Sequence, residues 1–191
     1  IEFARQEAAK FHVIHPTYML QKQEIRAKHN ANLQILSLAR MEKRKGLAQS
    51  MAALAQLDKQ LPDYQWHIAG DGPERANLEQ LAMQLGLEDK IIFHGFVNET
   101  QKDELMGRSD LFLMPSYQEG NSLEGFGIVY AEAASYAIPA IGGIAGGASE
   151  AVVDGQTGWS VDGASIDAIA KALTSAMGDA EERRKRGHKA L

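Results

Sequence analysis

Two glutamates stand eight positions apart in the segment EGFGIVYAE, at Glu124 and Glu132, with Gly125 and Gly127 between them. A loop dense in Gly and polar residues, PSYQEGNSLEGFG, runs straight into helix-forming sequence there. Backbone N–H groups at such a helix start point outward and favour an anion. Those of Phe126, Gly127 and Ile128 therefore form a candidate cradle for a diphosphate. Glu132 falls roughly 7 Å along the helix axis from Gly127, at 1.5 Å per residue, so the carboxylates flank the cradle. Carboxylates suit vicinal hydroxyls because each oxygen accepts separately. A sugar diphosphate nucleotide has this linear layout, with its sugar towards Glu124 and its ribose towards Glu132. A capping acid followed by a solvated helix acid is the competing reading of the same residues.

Other loops carry weaker signals. In ARMEKRKG, Arg40 and Lys45 stand before a helix start and could add positive charge to a phosphate site, or be surface cations of a turn. GDGP, Gly70 to Pro73, opens like a dinucleotide fingerprint, but Arg75 stands where the third Gly belongs. It reads as a tight turn in which the glycines take positive φ and Pro73 begins a helix. GGIAGGASE offers N–H groups at Gly146, Gly147 and Ala148 to a substrate, with Ser149 or Glu150 in the first helical turn; a structural turn is the alternative. His12 and His15 lack an acidic third ligand, so no metal site is expected. No Ser-His-Asp arrangement stands out, and His94 either borders the crevice or is a hydrogen-bonded structural residue.

These loops need elements to position them. Strand-type runs are Leu33–Leu38, Tyr64–Ala69, Lys90–Phe93, Asp110–Met114, Ile138–Ile141 and Thr157–Val161. Helical patterns fill 46–60, 74–85, 98–108, 127–136 and 166–177. Short continuous apolar strands alternating with helices predict an α/β, Rossmann-like parallel sheet with helices on both faces. In such sheets ligands sit beyond the carboxyl ends of the strands, at a topological switch point. The run EERRKRGHK within residues 179–191 is expected to form a charged helix with a solvated face.

Composition narrows the function classes. The 191 residues carry 20 basic and 25 acidic side chains, a net charge of −5 that argues against a nucleic-acid binder. With no Cys there is no disulfide framework, thiolate zinc site or cysteine nucleophile. No apolar run approaches the roughly 20 residues of a membrane span. A cytoplasmic, reducing compartment and a domain of a longer protein are the expectations.

The spacing in EGFGIVYAE resembles the E-x7-E motif of retaining nucleotide-sugar glycosyltransferases of the GT-B superfamily, which includes glycogen synthases, sucrose synthases and bacterial mannosyltransferases. Other segments agree in order. ARMEKRKG is similar to that family's phosphate loop, with Ala39 in place of the usual Gly, and IAGDGP, which contains Gly70, to its GxGP turn. IIFHGFV resembles its base-binding strand end, IPAIGGIAGGASEAV the loop facing the transferred sugar, and VVDGQTGWSV the segment before its last strand. The match covers about residues 30 to 178 and concerns only the carboxyl-terminal, donor-binding half of the fold. It implies that residues 1–29 are a linker from an amino-terminal acceptor domain, although the HVIHPTYM stretch departs from the family's usual pattern.

The resemblance further implies transfer of a hexosyl group from a UDP- or GDP-sugar to an acceptor hydroxyl, with retention of configuration. Arg40 and Lys45 would stabilise the leaving diphosphate, and Glu124 would hold the donor sugar. Phe126, Gly127 and Ile128 would bind phosphate, Glu132 the ribose, and the backbone at Phe96 and Val97 the base. No cofactor and no metal would be needed, and membrane contact would come through the amino-terminal domain. A sugar-nucleotide epimerase of the same fold and a non-catalytic nucleotide-binding module are the alternatives.

Overall fold

The computed structural model describes residues 32–125 and 127–191; the expectations for residues 1–29, for His12 and His15 and for Phe126 lie outside the described residues. Six strands alternate with helices: β1 (Leu33–Leu38), α1 (Leu47–Leu57), β2 (Tyr64–Ala69), α2 (Arg75–Gln84), β3 (Ile91–Gly95) and α3 (Glu99–Arg108). There follow β4 (Leu111–Met114), α4 (Ile128–Ser135), β5 (Ala140–Gly143), α5 (Ala148–Ala151), β6 (Gly158–Val161), α6 (Ile166–Gly178) and α7 (Ala180–Ala190). The strands form one sheet in the order β3-β2-β1-β4-β5-β6, and every neighbouring pair is parallel. The order reverses between β1 and β4, which puts the crevice at their carboxyl ends.

The continuous apolar strands are explained by burial on both faces. Ile35, Trp66, Ile68, Leu111, Leu113 and Ile141 pack beneath α1, α2 and α6. Leu36, Ala69, Phe112, Met114 and Ala140 face α3, α4 and α5. Trp66 is wholly buried, and its indole N–H donates to Ser37 Oγ at 2.9 Å, so the largest core side chain leaves no polar atom unpaired.

Local chemistry sets the element ends. α3 begins behind a reciprocal capping box in which Asn98 and Gln101 satisfy each other's backbone N–H groups. α1 is shorter than the expected 46–60, with single 3₁₀ turns at Lys43–Lys45 and Asp58–Gln60 on either side. β5 starts at Ala140 rather than Ile138, because Ala137 turns through φ 54° and Pro139 has no N–H for the ladder. In the second turn, Gly70 takes φ 119°, as expected, but Gly72 does not have positive φ; a Cβ there would instead meet the Met41 backbone, and the helix begins at Arg75 rather than Pro73.

The carboxyl-terminal tail corrects the expectation of a solvated charged face. Arg183 donates to the carbonyls of Ala176 (2.7 Å) and Met177 (2.9 Å), partnering the last turn of α6. Arg186 donates to Gly158 O at 2.7 Å and lies over the Trp159 ring at 4.1 Å. These contacts fasten α7 across the β6 edge, a position where exposed backbone would otherwise invite pairing. Glu181, Arg184, Lys185, His188 and Lys189 are the exposed side chains of this run. Among the described residues no helix is long and apolar enough to cross a membrane.

Candidate functional site

The loops after β1 and β4 meet at the switch point. The Tyr117 N–H donates to Arg44 O at 2.8 Å and ties the two loops together. Lys45, closing the 3₁₀ turn before α1, is buried, and its Nζ lies 2.5 Å from Glu124 Oε2. Arg44 reaches the same oxygen at 3.2 Å and also pairs with Glu42 at 2.9 Å. Glu124 is therefore the shared partner of two cations from a loop about 80 residues earlier in the chain.

A third loop fixes the backbone of Glu124. The Gly147 N–H donates to Glu124 O at 3.0 Å. Gly146 beside it adopts φ 65°, and a Cβ there would collide with the Glu124 backbone, so the contact requires glycine. The GGIAGGASE turn thus braces Glu124. Its helix, however, is a single turn of four residues.

Glu132 sits on α4 as the period predicts, but it is not a solvated helix acid. Lys102 of α3 approaches its Oε1 at 2.9 Å, with side chains only 13% and 16% exposed. Lys102 also holds Glu99 at 2.8 Å. Burial pulls the Lys102 pKa down, yet hydrogen bonds to Glu99 and Glu132 and their charges outweigh it and raise it above the ordinary lysine value. Beneath the start of α4, the Tyr130 hydroxyl donates to Met114 O at 2.5 Å and links helix to strand end. Burial raises the Tyr130 pKa, so this phenol stays a donor.

The other sequence candidates fall at the same sheet edge with different degrees of engagement. Gly127 caps α4 at φ 65°, and Ile128 is the first helical residue. Phe96, past the end of β3, is 85% exposed, whereas Val97 packs against the core. Gly70 donates its N–H to Gly95 O at 2.7 Å, joining the ends of β2 and β3. Arg40 is 73% exposed and pairs with Glu42 at 3.4 Å, so it is not brought onto Glu124 as Lys45 is.

Sequence reasoning passed over Arg44 and Lys102. Arg44 stood beside the chosen Lys45, but the loop's turn alone decides which cation faces inward. Lys102 offered one local signal, its i,i+3 spacing from Glu99 at the head of a capped helix. His94 is a hydrogen-bonded structural residue, 2.9 Å from His67, which in turn meets Gln34 at 2.9 Å and Arg108 at 3.2 Å. Burial, the Arg108 charge and His94 together lower the His67 pKa to about 4. Among the described residues no cluster of three or more His, Asp or Glu side chains is arranged to hold a metal ion.

The chain is similar to known proteins over most of its length. It is 37% identical over 147 residues to a GDP-mannose-dependent α-(1-6)-phosphatidylinositol monomannoside mannosyltransferase of Mycolicibacterium smegmatis, covering 76% of this chain and 37% of that protein. It is 32% identical over 155 residues to a glycogen synthase of Mycobacterium tuberculosis, covering 80% of this chain and 36% of the relative. The chain therefore spans well under half the length of these relatives. The crystal structure of Anabaena HepE in complex with UDP-glucose superposes with a TM-score of 0.73 at 26% identity, over 84% of this chain and 43% of that one. The carboxyl-terminal domain of a Francisella tularensis group 1 glycosyl transferase superposes with a TM-score of 0.72 at 28% identity, over 83% and 82% of the two chains. These likenesses bear out the GT-B resemblance and its carboxyl-terminal placement. The family model for glycosyl transferases group 1 matches residues 21–191, and the chain belongs to that family.

Proposed function

We propose that this chain is the donor-binding domain of a retaining glycosyltransferase, which transfers a hexosyl group from a UDP- or GDP-sugar to an acceptor hydroxyl. One observation carries the reading. Lys45 and Arg44 from the loop after β1 converge on Glu124 from the loop after β4, at the switch point where this fold class binds ligands.

In this reading the donor lies along the sheet edge. Gly127 and Ile128 present backbone N–H groups to the diphosphate at the positive end of α4. Lys45, with Arg40 reaching in from solvent, stabilises the charge that grows on the leaving diphosphate. Such contacts accelerate transfer only to the extent that they strengthen in the transition state. Glu124 accepts from hydroxyls of the donor sugar, Glu132 from the ribose, and the backbone at Phe96, Val97 and Gly70 lines the base. The cations and the helix start supply the positive charge, so the scheme calls for no metal. The named relatives use GDP-mannose in one case and bind UDP-glucose in another, and both nucleotides are candidates here.

Calorimetry of the chain against UDP, GDP and ADP tests the reading. The expected result is saturable one-to-one binding of UDP or GDP, the tighter of the two naming the base. No hexosyl transfer by these 191 residues alone is expected, because acceptor contacts would come from the rest of the longer protein. Failure of all three nucleotides to bind, or turnover by the chain alone above a buffer blank, would overturn it.

A further inference from the structure

A cavity of about 220 Å³ opens beside the cation cluster, on the α1–α2 side of the sheet edge and away from Glu132. Leu47, Ala48 and Leu78 give it an apolar floor, and Glu42, Gln49, Glu74 and Tyr117 a polar wall. Glu42 belongs to both places: it lines this cavity and pairs with Arg44, which pairs with Glu124.

We propose that this cavity binds one hydroxyl-rich ring, a hexose unit or a cyclic polyol. The chemistry of its wall selects the class. The lining carries two carboxylates, Glu42 and Glu74, and one cation, Lys43. Glu42 already holds Arg40 and Arg44, so it has no need of a further cation, but its lone pairs still accept from hydroxyls. The Gln49 amide is the informative group. Its Nε2 makes only a long 3.4 Å contact with Tyr117 Oη, and its Oε1 is buried with no partner. Turning the amide towards an occupant therefore gives up little, and pairing the buried atom gains what an unsatisfied polar group loses. A hydroxyl both donates and accepts, so it satisfies this amide in either orientation, which a carboxylate or an ammonium does not. The apolar floor and the Tyr117 ring suit the C–H face of a sugar. Ring binding stands on the cavity alone; its reading as an acceptor-side subsite, next to the transferred sugar, rests on the donor assignment above.

The test is NMR on the isotope-labelled chain, with methyl α-mannopyranoside, methyl α-glucopyranoside and myo-inositol as probes and with inorganic phosphate and ethanolamine as rivals. The Gln49 side-chain amide and the backbone amides of Ala48, Glu74 and Tyr117 report. Saturable shifts with a millimolar Kd are expected for at least one polyol, weakened about fivefold by Gln49→Leu. Ala48→Met, which fills the cavity from a half-buried helix position, is expected to remove them. The proposal is overturned by no saturable shift at Gln49 up to about 100 mM polyol, far above a millimolar Kd. It is equally overturned by shifts that survive both substitutions, or by phosphate or ethanolamine binding there as tightly. UDP and GDP added to the same sample report at the Lys102 and Glu132 amides, so failure of the donor reading shows separately.

Discussion

Glu124 and Glu132 are eight residues apart and equally sheltered, each with a side chain 13% exposed, yet they are held by different kinds of structure. Glu124 lies in a loop, and its place depends on two other loops: one supplies Lys45 and Arg44, the other the Gly147 N–H. Glu132 lies within a helix, and a single lysine on the neighbouring helix holds it. One carboxylate is therefore positioned by convergence across the switch point, the other by two regular elements packed side by side. The proposed division of labour rests on this difference: a loop-borne group for the variable sugar and a helix-borne group for the ribose.

The sharpest way to break the comparison is to remove a cation from the convergent side. Lys45→Met leaves Glu124 sheltered with Arg44 as its remaining partner. Removing one member of a buried pair costs about 3–5 kcal/mol, and the second cation puts this case at the low end, about 3 kcal/mol. Urea unfolding of the variant measures it. The double variant Lys45→Met/Glu124→Gln should recover part of the loss, since the stranded charge is then gone. If Lys45→Met unfolds at the wild-type urea concentration, Glu124 is not held by convergence.

Next in size is the separation of the two roles. Glu132→Gln should weaken binding of bare UDP or GDP by about 1–3 kcal/mol, the range of a charge-assisted hydrogen-bond pair. Glu124→Gln should leave bare nucleotide nearly unaffected and weaken the intact sugar nucleotide. Calorimetry with both ligands on both variants gives four numbers, and equal loss of bare nucleotide in the two variants would erase the distinction.

The asymmetry also marks what could be read from the sequence. Strands β1 and β2 fall where the apolar runs put them, because burial on both faces writes an unbroken pattern into the chain. The place of Glu132 followed from helix period alone. Its partner did not, because the packing of α3 against α4 has no local signature. Around Glu124 the loops were legible as loops, and Lys45, which the structure places on Glu124, stood among the candidates. The choice between Arg40 and Arg44 was not legible: both precede the same helix, and only the 3₁₀ turn at Lys43–Lys45 decides which points inward. The tail misled for a similar reason. Arg183 and Arg186 look like solvent charges until α6 and Gly158 present carbonyls for them to bind.

Acid should act through a third place, which must be separated from either glutamate. His67 is 1% exposed, with its pKa lowered to about 4 by burial, by Arg108 and by His94. The folded state thus binds its proton less readily than the unfolded chain, whose histidine titrates near 6.5. Stability from this group is fully present above pH 6.5 and is lost as pH falls towards 4, at up to about 1.4 kcal/mol per pH unit. Unfolding free energy measured from pH 8 to 5 should be flat to about 6.5 and then decline, by about 1 kcal/mol at pH 5.5. His67→Gln should remove most of the decline; an unchanged pH profile would assign it elsewhere.

The smallest expected effect concerns Arg40, and its smallness is what gives it value. The side chain is 73% exposed and its partner in the structure is Glu42 at 3.4 Å, a surface pair of the kind worth little. Arg40→Ala should therefore leave the urea midpoint and slope within about 0.5 kcal/mol of wild type. Lys45→Met, in the same loop, should lower both stability and function, so its loss of turnover mixes two causes. Arg40→Ala has only one cause available. In the full-length enzyme, a fall in kcat/KM larger than the fall in nucleotide affinity would mean a contact that grows with charge on the leaving diphosphate. Equal falls would make Arg40 an affinity group that serves ground state and transition state alike. No change in either would place the leaving-group charge entirely with Lys45 and the start of α4, and Arg40 would be what its exposure suggests, a surface cation of the turn.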